Sequence, residues 1–156
     1  MLKIKKLIPI FFILIILSNC GYTPKYALNK NVNFTIDIVE ISGDREFNNF
    51  LKSKLIRYKD TKETNKTNYK LSLTTTYTKN IKSKDGAGLA KDYKLSINVK
   101  TLIKSEAMET KKLVFEETFV MKKIDDALDE KDYEKNIKEN FSDIILERII
   151  FYLFKL

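Results

Sequence analysis

Two pairs of adjacent carboxylates, Glu116-Glu117 and Asp125-Asp126, have a spacing that could support acid–base chemistry such as the hydrolysis of a glycosidic bond. The chain has no histidine, which removes the commonest general base and the commonest metal ligand. It also has no glycine-rich phosphate loop and no cysteine–histidine spacing for a metal ion. A solvated strand edge and the start of a helix explain the carboxylates better. We therefore expect that this chain is not an enzyme and binds no cofactor.

Four lysines around a glycine-containing turn could bind a polyanion. The stretch 85–88 reads Asp-Gly-Ala-Gly, which is a turn signal, and Lys79, Lys82, Lys84 and Lys91 lie on either side of it. Ammonium groups on a hairpin tip could engage several phosphates or acidic sugars at once as point charges. Lysines also flank any exposed turn in so lysine-rich a chain, and the sequence leaves both interpretations open.

The only cysteine, Cys20, closes a segment with the layout of a secretory signal peptide. Three lysines precede an apolar run of 11 residues from Leu7 to Leu17. That run is shorter than the roughly 20 residues that a helix needs to cross a bilayer. Leu17-Ser18-Asn19-Cys20 resembles the bacterial lipoprotein signal, in which the cysteine is acylated and the chain is cleaved before it. The resemblance implies that Cys20 is the lipid attachment; the alternative is an uncleaved anchor in which Cys20 is incidental.

The rest of the chain has the size of one domain. Removing residues 1–19 leaves 137 of the 156 residues, and 44% of the sequence is hydrophobic, enough to bury a core. The net charge of +8 falls to +5 without the three signal lysines, which favours acidic partners. Membrane attachment makes nucleic acid the least expected of these. We predict a signal peptide over 1–19, a lipidated tether over 20–31 and a single domain over 32–156.

Hydrophobic periodicity predicts the elements that position these side chains. Apolar and polar residues alternate over 32–41, 69–78, 93–99 and 113–121, the pattern of half-buried strands. A helix begins after Ser42 or Asp44, and a longer one begins near Leu128. The apolar stripes are Phe47, Phe50, Leu51, Leu55 and Tyr58 in the first helix and Tyr133, Ile137, Phe141, Ile144, Ile145, Ile149 and Tyr152 in the second.

The same periodicity assigns the other faces. Lys54 and Lys138 fall outside the apolar stripes, which predicts solvated positions. Glu117 falls in an otherwise apolar row of its strand, which predicts a bulge or an edge position. Residues 149–154 are apolar on all sides, so a neighbouring element, a membrane or a partner must cover them. The order β-α-β-β-β-α predicts an α+β two-layer sandwich, with a four-stranded, mostly antiparallel sheet covered by two helices.

Three sets of residues in this sequence resemble those of a known family. Residues 20–26, Cys-Gly-Tyr-Thr-Pro-Lys-Tyr, look like the start of mature lipopolysaccharide-assembly lipoproteins of the LptE family, commonly Cys-Gly-Phe-x-Pro-x-Tyr. The strand openings Tyr69-Lys-Leu and Tyr93-Lys-Leu are also similar. A third set resembles the last helix of the family's shorter alphaproteobacterial members: Asp132, Phe141, Ser142, Asp143, Ile145, Arg148, Ile149 and Tyr152.

The resemblance implies a partner, a ligand and a location. Members of this family are inserted in the lumen of the LptD β-barrel at the outer membrane, as plug and folding partner, and are thought to bind lipopolysaccharide. Gly21 after the lipid cysteine is compatible with sorting to that membrane, with the domain on its periplasmic side. Lipid A phosphates would make the four lysines a lipopolysaccharide site. The alternative is an unrelated small outer-membrane lipoprotein, either a scaffold or a hydrolase that uses Glu116, Glu117 or Asp125.

Overall fold

The computed structural model describes residues 32–59 and 66–156, so the predicted signal peptide, Cys20 and the tether lie outside the described residues. A three-residue 3₁₀ turn, Ile56–Tyr58, continues the first helix. The order of elements is the predicted one: β1 (Phe34–Gly43), α1 (Arg45–Leu55), β2 (Thr67–Lys84), β3 (Ala90–Ser105), β4 (Met108–Lys122) and α2 (Ala127–Leu153).

The strands form a four-stranded mixed sheet in the order β1-β2-β3-β4. β1 and β2 are parallel, because α1 lies between them in the chain and brings it back to the starting end of the sheet. β2, β3 and β4 are antiparallel neighbours joined by hairpins. The predicted α+β fold with a mostly antiparallel sheet is therefore confirmed.

Both helices pack on one face of this sheet. Inward-facing side chains of the strands meet the apolar stripes of α1 and α2, and the core includes Ile36, Phe47, Leu51, Leu71, Leu73, Leu95, Ile97, Val99, Ile145 and Ile149. Phe141, at the centre of α2, is only 4% exposed. No element among the described residues covers the opposite face of the sheet, so the domain has two layers.

Gly43 is the joint between β1 and α1. Its φ of +103° lies in a region that side chains disfavour, and a β-carbon there would lie 1.8 Å from the Thr75 carbonyl oxygen. The next residue, Asp44, caps α1 because its Oδ1 accepts a hydrogen bond from the Phe47 backbone N–H at 2.8 Å. The glycine therefore lets the chain turn against β2 and start the helix at once.

The structure corrects one assignment made from periodicity and confirms one of the two explanations given for another. Lys54 and Lys138 are buried rather than solvated. Glu117 has no bulge, since the β3–β4 register is unbroken from Asp92↔Lys122 to Ile103↔Lys111. β4 is nevertheless an edge strand of the sheet, which confirms the edge position that we gave as the other explanation for Glu117. In the part of the chain that the structure describes, no helix is long and apolar enough to span a membrane.

Candidate functional site

The tip of the β2–β3 hairpin is a tight, exposed turn. Asp85 Oδ1 accepts hydrogen bonds from the backbone N–H groups of Ala87 at 2.9 Å and Leu89 at 2.8 Å. The backbone closes the same turn, since Gly88 N–H donates to the Asp85 carbonyl oxygen at 3.1 Å. Gly88 has a φ of +82°, which glycine adopts readily. The Asp85 carboxylate is therefore hydrogen-bonded within the turn, and the turn holds the adjoining strand ends in place.

Three of the four predicted lysines surround this tip. Lys82 and Lys84 are among the last three residues of β2, Lys91 is the second residue of β3, and all three are exposed. No ion pair of these lysines occurs among the residues that the structure describes. Asp92, whose Oδ2 accepts a hydrogen bond from the Ser83 hydroxyl at 2.5 Å, forms no ion pair with them among the described residues. The tip therefore presents three exposed lysines that have no ion-pair partner within the described ranges 32–59 and 66–156.

The fourth lysine, Lys79, lies apart from them. Its ammonium group contacts Glu130 Oε1 at 2.7 Å and Glu134 Oε2 at 2.8 Å, both on α2, and lies 4.5 Å from the centre of the Tyr93 ring. Burial lowers the pKa of Lys79, but the hydrogen bonds to both glutamates outweigh it and the net pKa is raised. Its charge is therefore already satisfied within the domain.

The same junction includes Tyr77 of β2. Its hydroxyl donates to Glu134 Oε1 at 2.7 Å, and burial together with this hydrogen bond raises the pKa of the phenol. The hydrogen bond from Lys79 lowers the pKa of Glu130. Glu130 Oε2 also accepts from the Ile124 backbone N–H at 3.2 Å. These contacts attach the start of α2 to β2, so we assign them a structural role.

A second group of lysines, which we did not predict from the sequence, lies on the uncovered face of the sheet. Lys70 and Lys104 are directly opposite each other on β2 and β3, and Lys100 is opposite Thr74. All three lysines are exposed. The even-numbered positions of both strands share this face, because their odd-numbered neighbours are buried under the helices. Only the alternation itself could have identified these lysines as one surface.

The carboxylate pairs do not form an acid–base site. Glu116 and Glu117 occupy successive positions of β4, so their side chains point to opposite faces of the sheet. Glu117 forms an ion pair with Arg148 of α2. Asp126 is the N-cap of α2 and accepts from the backbone N–H groups of Leu128 at 2.8 Å and Asp129 at 3.1 Å, while Asp125 is exposed. The described residues contain no cluster of carboxylates that could hold a metal ion.

The buried lysines connect the two helices, and one of them also contacts the sheet. Lys54 of α1 contacts Asp143 Oδ1 of α2 at 2.6 Å and Ser142 Oγ at 2.9 Å. Lys138 of α2 contacts Glu46 Oε2 at 3.1 Å and lies 4.1 Å from the centre of the Tyr77 ring. Sequence periodicity cannot find such positions, because each partner lies on a different element. The available signal in the sequence was the two carboxylates at the start of α1, Asp44 and Glu46, whose cationic partner was not evident.

The end of α2 is apolar and partly uncovered. Ile149, Ile150 and Leu153 are buried, but Phe151 is 62% and Phe154 57% exposed. The Phe154 ring packs edge-on against Phe34, with 5.3 Å between ring centres. The domain thus buries one side of this end, and its other side is an exposed apolar surface beside the start of β1.

Comparison with known proteins identifies structures of the same fold. No family model and no curated protein matches the sequence. The crystal structure of rare lipoprotein B from Shewanella oneidensis is similar, with a TM-score of 0.53, 15% identity, and coverage of 76% of this chain and 98% of that chain. The crystal structure of a minor lipoprotein from Acinetobacter baumannii has a TM-score of 0.50 at 10% identity and covers 76% of this chain and 94% of that chain. This chain therefore shares the fold of these lipoproteins over nearly their whole length.

Proposed function

We propose that this chain is a lipoprotein of the LptE type, attached to the periplasmic side of the outer membrane through an acylated Cys20. The observation that carries the proposal is the fold shared with 98% of the rare lipoprotein B chain. Rare lipoprotein B is a homologue of LptE. The sequence supplies independent support, because its Cys-Gly-Tyr-Thr-Pro-Lys-Tyr segment at 20–26 resembles the start of mature LptE proteins. We extend the proposal to the shorter, alphaproteobacterial type of the family.

The proposed partner is an LptD-type β-barrel, which the domain plugs and helps to fold while lipopolysaccharide is assembled at the outer membrane. Asp126 caps α2 and Glu117 pairs with Arg148, which fits a binding protein better than a hydrolase. The exposed apolar end of α2, with Phe151 and Phe154, is a surface that a stable partner would cover.

Co-purification tests the partnership. We expect the full-length tagged chain, extracted from its own outer membrane in mild detergent, to bring down one large β-barrel protein. Phe151→Ser together with Phe154→Ser should reduce the yield of that barrel. Val39→Ser is the control, because Val39 is 65% exposed on β1. Recovery of the folded chain without any barrel would instead favour an unrelated outer-membrane lipoprotein.

Lipidation at Cys20 is tested separately. Mass spectrometry of the membrane-extracted protein should show a diacylglyceryl cysteine at its N-terminus. Two or more acyl chains hold a protein stably at a membrane, whereas one chain holds it only marginally. Cys20→Ala should leave the precursor uncleaved. Detection of an intact, unmodified N-terminus beginning at Met1 in the membrane fraction would contradict the assignment.

We further propose that the hairpin tip binds the phosphates of lipopolysaccharide through Lys82, Lys84 and Lys91. Lys79, which we expected to belong to this set, contributes to the junction with α2 and is left unchanged in the test. An exposed ion pair contributes about 0–1 kcal/mol, so a single substitution should have little effect. Changing all three lysines to serine should weaken binding about ten-fold, and wild-type binding should fall as salt rises.

The matched control removes the same charge from the uncovered sheet face, through Lys70→Ser, Lys100→Ser and Lys104→Ser. If net charge alone attracts lipopolysaccharide, both triple variants will bind equally weakly. If the tip is the site, only the tip variant will lose affinity while it still folds and still associates with the barrel. A tip variant that binds like the wild type would exclude the tip as the site.

A further inference from the structure

We propose that the outer edge of β4 pairs with the β4 edge of a second copy of this chain, antiparallel and centred on Val114. β4 has 15 residues and is the last strand of the sheet, with no strand beyond it among the described residues. Such an edge presents a row of backbone N–H and C=O groups that a second strand can satisfy. The inference concerns a surface separate from the tip, and it applies to the chain outside the barrel, because Phe151 lies beside this edge and also belongs to the apolar end of α2 that we assign to the barrel contact.

The direction of the backbone groups follows from the pairing with β3. The Lys123 N–H donates to the Lys91 carbonyl oxygen at 2.9 Å, and the register of β4 against β3 is unbroken from Lys122 to Lys111. Because alternate residues of an antiparallel strand face the same neighbour, the odd-numbered residues bond to β3. The even-numbered residues therefore direct their N–H and C=O groups outward. Consistent with this, the Glu116 carbonyl oxygen accepts from Arg148 Nη1 at 3.4 Å, outside the sheet.

The charges of β4 are self-complementary when the strand pairs with itself about Val114. Two copies related by a two-fold axis at this residue place Lys112 opposite Glu116, and Lys111 opposite Glu117, whose carboxylate already pairs with Arg148. The axis repeats the first of these, so two pairs of opposite charge between exposed side chains lie across the interface, and Thr110 faces Thr118. Directly opposite residues also share a face of the joined sheet, which brings each lysine next to its glutamate.

Neighbouring registers lack this match. Centring the pair on Glu116 or on Glu117 places that glutamate opposite its own copy, and centring it on Leu113 places Glu109 opposite Glu117. Centring it on Phe115 sets both glutamates of β4 against apolar side chains. Registers centred between two residues would pair an outward-facing backbone with one directed at β3, so the ladder is lost. Charges on an edge strand ordinarily prevent pairing with other strands. In β4 the order of lysines and glutamates along the strand permits pairing with a second copy in the register centred on Val114.

Exposed apolar side chains lie along the same edge. Val114 is 56% exposed at the proposed axis. Arg148 of α2 reaches β4 through Glu117, and Ile144 and Phe151, one turn before and one turn after it, are 38% and 62% exposed. An antiparallel partner would bring its own α2 to the same face of the joined sheet. These side chains would then lose contact with water, which adds a hydrophobic contribution to the backbone ladder.

Charge exchange tests the register on the full-length mature chain in detergent. We expect a dimer by sedimentation with detergent-matched density, and each of Lys112→Glu and Glu116→Lys should weaken dimerisation by at least about ten-fold, since each sets like charges opposite each other twice. The double variant with both changes should restore the dimer, because the pairs are exchanged. Lys100→Glu, at the centre of the uncovered face, should have no effect. Circular dichroism verifies that each variant is folded.

Cysteine cross-linking provides an independent measurement that leaves the charges intact. Val114→Cys should form a disulfide between two copies, because opposite residues of such a ladder have Cα atoms about 5.5 Å apart, within disulfide range. Val120→Cys is the matched control on the same face, 44% exposed, and its copies should lie about 40 Å apart. A monomeric wild type, a charge exchange that does not restore the dimer, or equal cross-linking at Val114 and Val120 would each overturn the proposal.

Discussion

Replacing Asp143 by alanine should destabilise the domain by about 2–3 kcal/mol. Lys54 Nζ lies 2.6 Å from Asp143 Oδ1, 2.9 Å from Ser142 Oγ and 3.2 Å from the Glu139 carbonyl oxygen, and its side chain is only 11% exposed. Without Asp143 the ammonium group keeps two neutral acceptors and loses its counter-charge. Breaking a fully buried pair costs about 3–5 kcal/mol. We expect a smaller loss, because Asp143 is itself 31% exposed and water can replace part of the contact.

Urea denaturation followed by circular dichroism measures this loss on an unlipidated chain that begins at Gly21. The control is Asp37→Ala, since the ion pair of Asp37 with Lys59 is long, 3.9 Å, and exposed at both ends, so its loss should cost less than about 1 kcal/mol. Lys54→Met combined with Asp143→Ala should cost less than the sum of the single changes. A loss for Asp143→Ala no larger than for Asp37→Ala would refute the reasoning.

Three further predictions concern backbone strain, an unpaired hydroxyl and pH. Gly43→Ala should lower the free energy of unfolding by more than Gly88→Ala under urea denaturation, because both have positive φ but only Gly43 lacks space for a β-carbon. Tyr58→Phe should raise the melting temperature, since the buried hydroxyl has no hydrogen-bond partner among the described residues. The hydrogen bond from Lys79 lowers the pKa of Glu130 from 4.5, so its stabilisation is complete above pH 4.5 and is lost as the pH falls. In the Glu130→Gln variant, the free energy of unfolding should therefore decrease less steeply as the pH falls below 4.5.

Alternation predicted the strands because one face of each is buried and the other is wet. Leu71 and Leu73 have almost no exposure, while Lys70 and Thr74 on either side of them are exposed. The alternating pattern ends where burial of one face ends, but the strand itself continues. For this reason the pattern predicted that β2 ends near Thr78, whereas β2 extends to Lys84. Backbone pairing with β3 continues there without a core to mark it. Strand length was therefore not accessible from side-chain periodicity.

The candidate site shows a different limit. Lys79 and Lys82 are the same residue type, three positions apart on one strand, and one is neutralised while the other is free of ion pairs among the described residues. The difference arises from Glu130 and Glu134, more than 50 residues later in the chain. Local composition contains no information on such distant partners. For the same reason, the sequence did not predict the burial of Lys138.

The parallel pairing of β1 with β2 has a consequence for the order of folding. β1 and α1 are synthesised before the meander, yet among the described strands β1 pairs with β2 alone, and Lys54 of α1 contacts Ser142, 88 residues later. β2, β3 and β4 can form from adjacent hairpins, which close short loops and form quickly. We therefore expect the meander to be the nucleus, and β1 and α1 to join it only when α2 has been completed. Until then the first half of the domain exposes apolar side chains, which is the interval in which a chaperone would bind it.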